Sequence, residues 1–412
     1  MHNIIKLPNG IEVVNIYNSS PLIKLCFLFK AGSTQDMEGK YGLAHFLEHM
    51  TFNGTRKRSK IVIENSLSRL GKRYNASTDY EQTYYQIDVL KEDVDSAMNL
   101  LSDMVCNSVF SRVQINRERE VVIQELKEFS DIPEEILFNE RFSVLYAGHG
   151  LAHPVLGFEE DLDSISKADF YGYTDQYYCK NNLRAIFVGN ISQEEAVYLT
   201  QKHFSCLPDG NETAMGKAPF NVGYKFIKRN LNSSIVNLCF NSYDTAAKQV
   251  EQIVLQSILE ERIYREATNQ SLSYSPECLG EFLEGCSLFD INGRCSNENV
   301  NKLIDVFISG INDIKAYPVS DHELLRAKKS IKIGTLDSFY DNSFAFASAI
   351  GRFDINDIEL DYKDKLNDID NLTKERLHNL AMDIFSVVNL GYFVMGNKIN
   401  YYPFDKVQNM LM

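Results

Sequence analysis

The chain has 412 residues, long enough for two or more domains. Its 44% hydrophobic and 11% aromatic content supplies packed cores and excludes a disordered chain. With 42 basic against 56 acidic residues the net charge is −14, which argues against nucleic acid as the main partner. The acidic surplus reads either as a solvated surface or, where carboxylates line a cavity, as an attraction for cationic peptides. No run of about 18 uncharged apolar residues occurs, so no membrane-spanning helix is expected.

The first ten residues, Met1 to Gly10, read as a strand entering a Pro8-Asn9-Gly10 turn. They carry neither the apolar core of a signal peptide nor an Arg/Ser-rich transit segment, so the expected location is cytoplasmic. A processed organellar form is the lesser alternative. The eight cysteines (Cys26, Cys106, Cys179, Cys206, Cys239, Cys278, Cys286 and Cys295) are scattered without a C-x-x-C pair. That pattern suits reduced thiols better than a disulfide framework.

Residues 11–31 read as strands: Ile11 to Ile16 alternates loosely, and Leu22 to Phe29 is a nearly continuous apolar run. A loop from Ala31 to Lys40 leads into Gly42-Leu43-Ala44-His45-Phe46-Leu47-Glu48-His49. On a helix, His45 and His49 stand one turn apart on the same face. Imidazoles so placed can share one zinc ion, and Glu48 beside them can take a proton from a water on the metal without being a ligand. Taken alone, a histidine pair on a helix is as well explained by an ordinary core or surface position.

A helical pattern follows near 61–70, then Thr- and Tyr-rich strands over Tyr74–Thr78 and Thr83–Val89. Asp93–Val105 and Gln114–Phe129 read as amphipathic helices. In the second, Glu118 and Glu125 are seven apart and project from nearly one face. Either is a natural third ligand beside the histidines, and ordinary surface charge is the competing reading. Ser166 and Ser192 are N-cap candidates for helices to Tyr178 and about Phe204, and Asn182–Asn190 is a buried strand between them. The Pro- and Gly-bearing stretch around 208–223 reads as a linker between domains 1–207 and 224–412.

Past the linker the pattern restarts. Asn232–Phe240 echoes Asn18–Phe27, and Val388–Asn397 echoes Asn182–Asn190. The chain is therefore expected to be a duplicated α+β protein: two α/β-sandwich halves, each a mostly antiparallel sheet with helices packed on it. The second half lacks the histidine motif, having Gln252–Leu259 at the comparable place.

Taken together, these stretches closely resemble the pitrilysin/insulinase superfamily of zinc peptidases, in its mitochondrial processing peptidase-like branch. The resemblance covers essentially the whole chain. It is carried by Gly42–Thr55 with the H-x-x-E-H order, Asn75-Ala76 with Thr83-Tyr84-Tyr85, Glu118–Glu125, and Gly189-Asn190. It implies one zinc per chain held by His45, His49 and Glu125, with Glu48 as general base and Glu118 as a supporting carboxylate. It implies hydrolysis of small or precursor peptides bound in extended form along an edge strand at Asn75 and Ala76, in a chamber between the halves. Family members of this length work as homodimers or as heterodimers with a related subunit. A non-catalytic scaffold subunit is the competing class, although such subunits have degraded motifs, and the Gly-rich loop of the processing peptidase's non-catalytic subunit is absent here.

One stretch departs from the family pattern. The substrate-contacting Arg and Tyr, usually seven apart around a Gly, correspond here to Arg265 and Tyr274, nine apart, with Ser271 in place of the Gly.

Overall fold

The computed structural model describes residues 2–214, 216–243, 246–273, 275–340, 343–352, 354, 357–397 and 401–412. Tyr274 therefore lies outside the described residues. The chain forms two compact units.

In the first unit a six-stranded sheet has the order β1-β2-β6-β3-β5-β4. Its strands are β1 (His2–Lys6), β2 (Glu12–Tyr17), β3 (Leu22–Phe29), β4 (Tyr74–Thr78), β5 (Thr83–Leu90) and β6 (Leu183–Gly189). All its pairings are antiparallel except β2 with β6. In the second unit a five-stranded sheet has the order β7-β11-β8-β10-β9. It comprises β7 (Gly223–Lys228), β8 (Ser233–Asn241), β9 (Glu277–Leu283), β10 (Cys286–Ser296) and β11 (Leu390–Gly396). Here too one pairing is parallel, β7 with β11. Five strands of the first sheet thus repeat in the second, β2-β6-β3-β5-β4 matching β7-β11-β8-β10-β9. The sequence echoes fall on the corresponding central strands, β3 with β8 and β6 with β11. The fold is the duplicated α+β arrangement read from the sequence.

The apolar runs make central strands because both faces of each sheet are covered. In the first unit, Ile23, Leu25, Phe27 and Phe29 of β3 face a core with Phe46, Leu47 and Met50 of the helix Leu43–Thr51. In the second, Val236, Leu238 and Phe240 of β8 meet Leu255, Ile258 and Leu259 of the long helix Ala246–Asn269.

The other face of each sheet is covered by chain from elsewhere in the sequence. Residues 342–360 pack into the first unit and residues 131–152 into the second. A single cut at 208–223 therefore does not describe the packing, although the described residues within 205–222 carry no helix or strand. Each covering segment comes with a buried arginine. Arg184 of β6 binds Glu12 of β2 at 2.8 Å and donates to the Ala349 carbonyl at 2.8 Å. Arg141, on the helix Pro133–Leu145, binds Asp290 of β10 at 2.6 Å. Buried guanidinium groups need such partners, because leaving one unpaired costs several kcal/mol (about 3–5).

Ser271, which stands where the family pattern has Gly, has φ 55°. It closes the helix Ala246–Asn269 in the left-handed conformation that glycine adopts without strain.

One ion pair in the second unit sets a pH dependence. Arg262 donates to both carboxylate oxygens of Glu323, at 2.7 and 3.1 Å. Arg262, with help from Ser320, holds this carboxyl down to about 2 from its ordinary 4.5. A depressed carboxyl stabilises the fold above its unfolded pKa, and that contribution is lost as pH falls from about 4.5 to about 2. Solvent screening limits it to about 1 kcal/mol. Glu323→Gln is expected to lower the thermal midpoint at pH 7, with the gap to the parent closing across that acid range. A gap that stays constant with pH would disprove the linkage.

Candidate metal centre

The helix Leu43–Thr51 starts abruptly. Gly42 has φ 94°, and a side chain there would meet the Leu156 carbonyl at 2.6 Å. Upstream, Asp36 caps the helix from the preceding loop, accepting the backbone N–H groups of Gly42 at 2.7 Å and Ala44 at 2.9 Å. Burial pushes its carboxyl up to about 8 even against those N–H groups. These contacts fix the first turn, the one that carries His45.

His45, His49 and Glu125 each offer a ligand atom, all within 4.8 Å of one another. Glu125 comes from the helix Arg112–Phe129, which packs against the motif helix. Its Oε2 lies 3.8 Å from His45 Nε2 and 3.3 Å from His49 Nε2. Ligands about 2.0–2.1 Å from one tetrahedral zinc stand about 3.3–3.4 Å apart, so a small closure of these atoms suits that ion. The two imidazole rings lie edge to face with centroids 4.7 Å apart. His45 Nδ1 is buried with no hydrogen-bond partner among the described residues. The donor set, two imidazoles and one carboxylate, is the type that catalytic zinc sites use with a fourth position open.

Spacing alone leaves Glu118 and Glu125 as alternatives, and packing gives them different places. Glu118 Oε1 lies 3.2 Å from His49 Nδ1, on the opposite side of the ring from Glu125. A proton on Nδ1 is shared with Glu118, which leaves Nε2 free for a metal. Asn53 donates to the other Glu118 oxygen at 2.8 Å and to the His49 carbonyl at 3.0 Å. Lys60 stands 3.6 Å from that same Glu118 oxygen and donates to Asn53 Oδ1 at 2.9 Å. Burial pushes Glu118 up, but His49, Asn53 and Lys60 outweigh it and hold the carboxyl below its ordinary value. Burial works against a proton on His49, yet its carboxylate neighbours raise the imidazole to about 9. His45, desolvated and beside His49, is lowered to about 4.

Glu48 is buried beside the triad. Thr78 of β4 donates to its Oε2 at 2.9 Å, and burial raises its pKa. That shift moves the carboxyl toward the range in which a group both takes and returns protons near neutrality.

Asn75 and Ala76 lie on β4, the edge strand of its sheet, paired with Gln86 and Tyr85 of β5. The motif helix packs against β4. The free backbone edge is the kind of template onto which an extended peptide adds as a strand. Arg265 belongs to the second unit, exposed on the helix Ala246–Asn269. It lines a cleft of about 500 Å³ with Arg262, Glu266, Lys302, Asp305 and Asp313.

Four residues that support the site escape the motif reading: Asp36, Asn53, Lys60 and Thr78. Asp36 caps from six residues away, outside the spacing by which N-caps are recognised. Thr78 and Asn53 have local cues, since Thr78 shares a strand with Asn75 and Ala76 and Asn53 lies within Gly42–Thr55. Removing Glu118 is expected to weaken metal binding by about 10–100-fold in Glu118→Ala, as for other partners of ligating histidines. Competition against a chromophoric chelator measures it, and unchanged affinity would exclude the supporting role.

The chain matches two family models, "Insulinase (Peptidase family M16)" over residues 13–159 and "Peptidase M16 inactive domain" over residues 164–331. A Rickettsia felis protein described as an uncharacterised zinc protease is 26% identical over 96% of this chain and 98% of its own length. The mitochondrial processing peptidase beta subunit of Saccharomyces cerevisiae is 29% identical over 84% of this chain and 80% of its own. In fold, the chain superposes on a Helicobacter pylori protease with a TM-score of 0.84 at 23% identity, covering 96% of this chain and 99% of that one. The chain belongs to the M16 peptidase family of the pitrilysin/insulinase superfamily, in the branch that resembles the mitochondrial processing peptidase.

Proposed function

We propose that the chain is a zinc-dependent endopeptidase of the H-x-x-E-H type, with one zinc per chain held by His45, His49 and Glu125. The observation that carries this reading is the convergence of those three ligand atoms beside the buried carboxylate of Glu48. Bound zinc supplies Lewis acidity, polarising an acyl oxygen and bringing the pKa of a water to about 7. Glu48, held at Oε2 by Thr78, uses its other oxygen to take a proton and later return it to the departing amine. Glu118 keeps His49 oriented through Nδ1. The edge of β4 holds the peptide extended, with Asn75 and Ala76 in the pairing register. Small or precursor peptides suit that mode of binding, and the chain's net charge of −14 favours basic ones.

The test is cleavage of a basic peptide by the purified chain, with chelator and zinc add-back. Activity lost on chelation and restored by one equivalent of zinc supports the reading; cleavage that survives complete metal removal overturns it.

The beta-subunit relatives favour a refinement in which a related subunit completes the substrate site with the Arg and Tyr that are irregular at Arg265 and Tyr274. A homodimer active on its own would exclude this version. A cytoplasmic location goes with the proposal, since all eight cysteines are free thiols.

A further inference from the structure

Cys106 and Cys206, a hundred residues apart in sequence, meet in the first unit. Cys106 ends the helix Val94–Cys106, and Cys206 follows the helix Gln193–Phe204. These helices pack against each other. The two thiols lie in side-chain hydrogen-bond contact. Cys206 is exposed and Cys106 half-buried, whereas the other six cysteines are buried. Cys206 Sγ also lies 3.5 Å from the His203 carbonyl. The charge of Lys57 acts on both thiols.

We propose that Cys106 and Cys206 form a redox-active dithiol, with Cys206 as the attacking thiol, Cys106 as the resolving one and a hydroperoxide as the reactant. The assignment of roles follows from access and contact. Cys206 is the more exposed of the pair, and Cys106 is in hydrogen-bond contact with it. The hydrogen bond from Cys106, foremost, and the charge of Lys57 hold the Cys206 thiol below its ordinary value, which favours its thiolate. An exposed, low-pKa cysteine beside a second thiol is the arrangement of redox-sensing sites.

The chemistry balances in two steps. The Cys206 sulfur attacks one peroxide oxygen; the O–O bond breaks, and the other oxygen leaves with a proton as water or alcohol. Cys206, oxidised by two electrons, becomes a sulfenic acid. The Cys106 sulfur then attacks the Cys206 sulfur; the S–S bond forms and the S–O bond breaks. The Cys106 proton goes to the departing oxygen, which leaves as water. Two thiols and one hydroperoxide give one disulfide, with one water and one further water or alcohol. The product ties the ends of two packed helices, and external thiols reverse it.

The experiment treats the full-length chain with one equivalent of hydrogen peroxide, alkylates the remaining thiols and digests without reduction. The expected result is a single cross-linked peptide pair joining Cys106 to Cys206, lost on dithiothreitol treatment. In Cys106→Ser, a dione probe is expected to capture a sulfenic acid at Cys206. In Cys206→Ser, Cys106 is expected to remain alkylatable. The proposal is overturned if both thiols of the parent chain stay alkylatable, if Cys206 proceeds to the sulfinic acid without cross-linking, or if either cysteine pairs with another. None of these readouts depends on metal or on peptide cleavage.

Discussion

Glu48→Gln is expected to retain bound zinc at one per chain and to lose peptide-cleaving activity by at least about 10²–10⁴-fold in kcat, with KM little changed. The amide keeps the shape of the side chain and can still meet Thr78, so the helix and its histidines stay in place. What disappears is the ability to take a proton: an amide has no basic oxygen at neutral pH. Because Glu48 touches neither His45 nor His49 through a hydrogen bond among those described, metal content reports on fold while kcat reports on chemistry. Metal analysis and steady-state kinetics on the same preparation measure both. A variant that cleaves at the parental rate would remove Glu48 from the mechanism. One that loses its zinc would show the residue to be structural.

The second large effect is His49→Ala, expected to abolish stoichiometric zinc binding together with activity. Among the described residues His49 alone faces both carboxylates, Glu125 through Nε2 and Glu118 through Nδ1. Its loss removes one ligand and leaves two half-buried carboxylates without their shared partner. The metal-free parent should already show part of this. Zinc at 100 times its dissociation constant stabilises a folded chain by about 2.7 kcal/mol, so the parent's thermal midpoint should rise on adding zinc and the variant's should not. Calorimetry with and without zinc decides it: an equal rise in both proteins would place the metal elsewhere.

The legible parts of the fold are those written in short-range patterns. The apolar runs Leu22–Phe29 and Leu183–Gly189 are central strands because residues buried on both faces must be apolar throughout. Ser166 and Ser192 cap helices as their spacing to Asp169 and Glu195 suggests. The helix Pro133–Leu145 has weak sequence signals, Pro133 at its start and Glu134 and Glu135 in its first turn. Its apolar residues (Ile136, Leu137, Phe138, Phe142, Val144 and Leu145) do not keep to one narrow stripe, and its packing belongs to the unit built mainly from the other half of the chain. No window of sequence contains the sheet face that it covers.

For the metal centre the division is similar. By itself the sequence determined that His45 and His49 share a helix face with Glu48 beside them, because a four-residue spacing is one helical turn wherever the helix goes. It also determined the duplication, since the repeated strands recur as sequence. Spacing alone does not separate Glu125 from Glu118; the resemblance implies Glu125 as the ligand, and the tertiary structure puts Glu125 on the Nε2 side of His49 and Glu118 on the Nδ1 side. Two carboxylates seven apart present one face to any partner. Which one faces Nε2 and which faces Nδ1 depends on how the helix Arg112–Phe129 crosses the helix Leu43–Thr51. That crossing is set by packing between segments more than sixty residues apart.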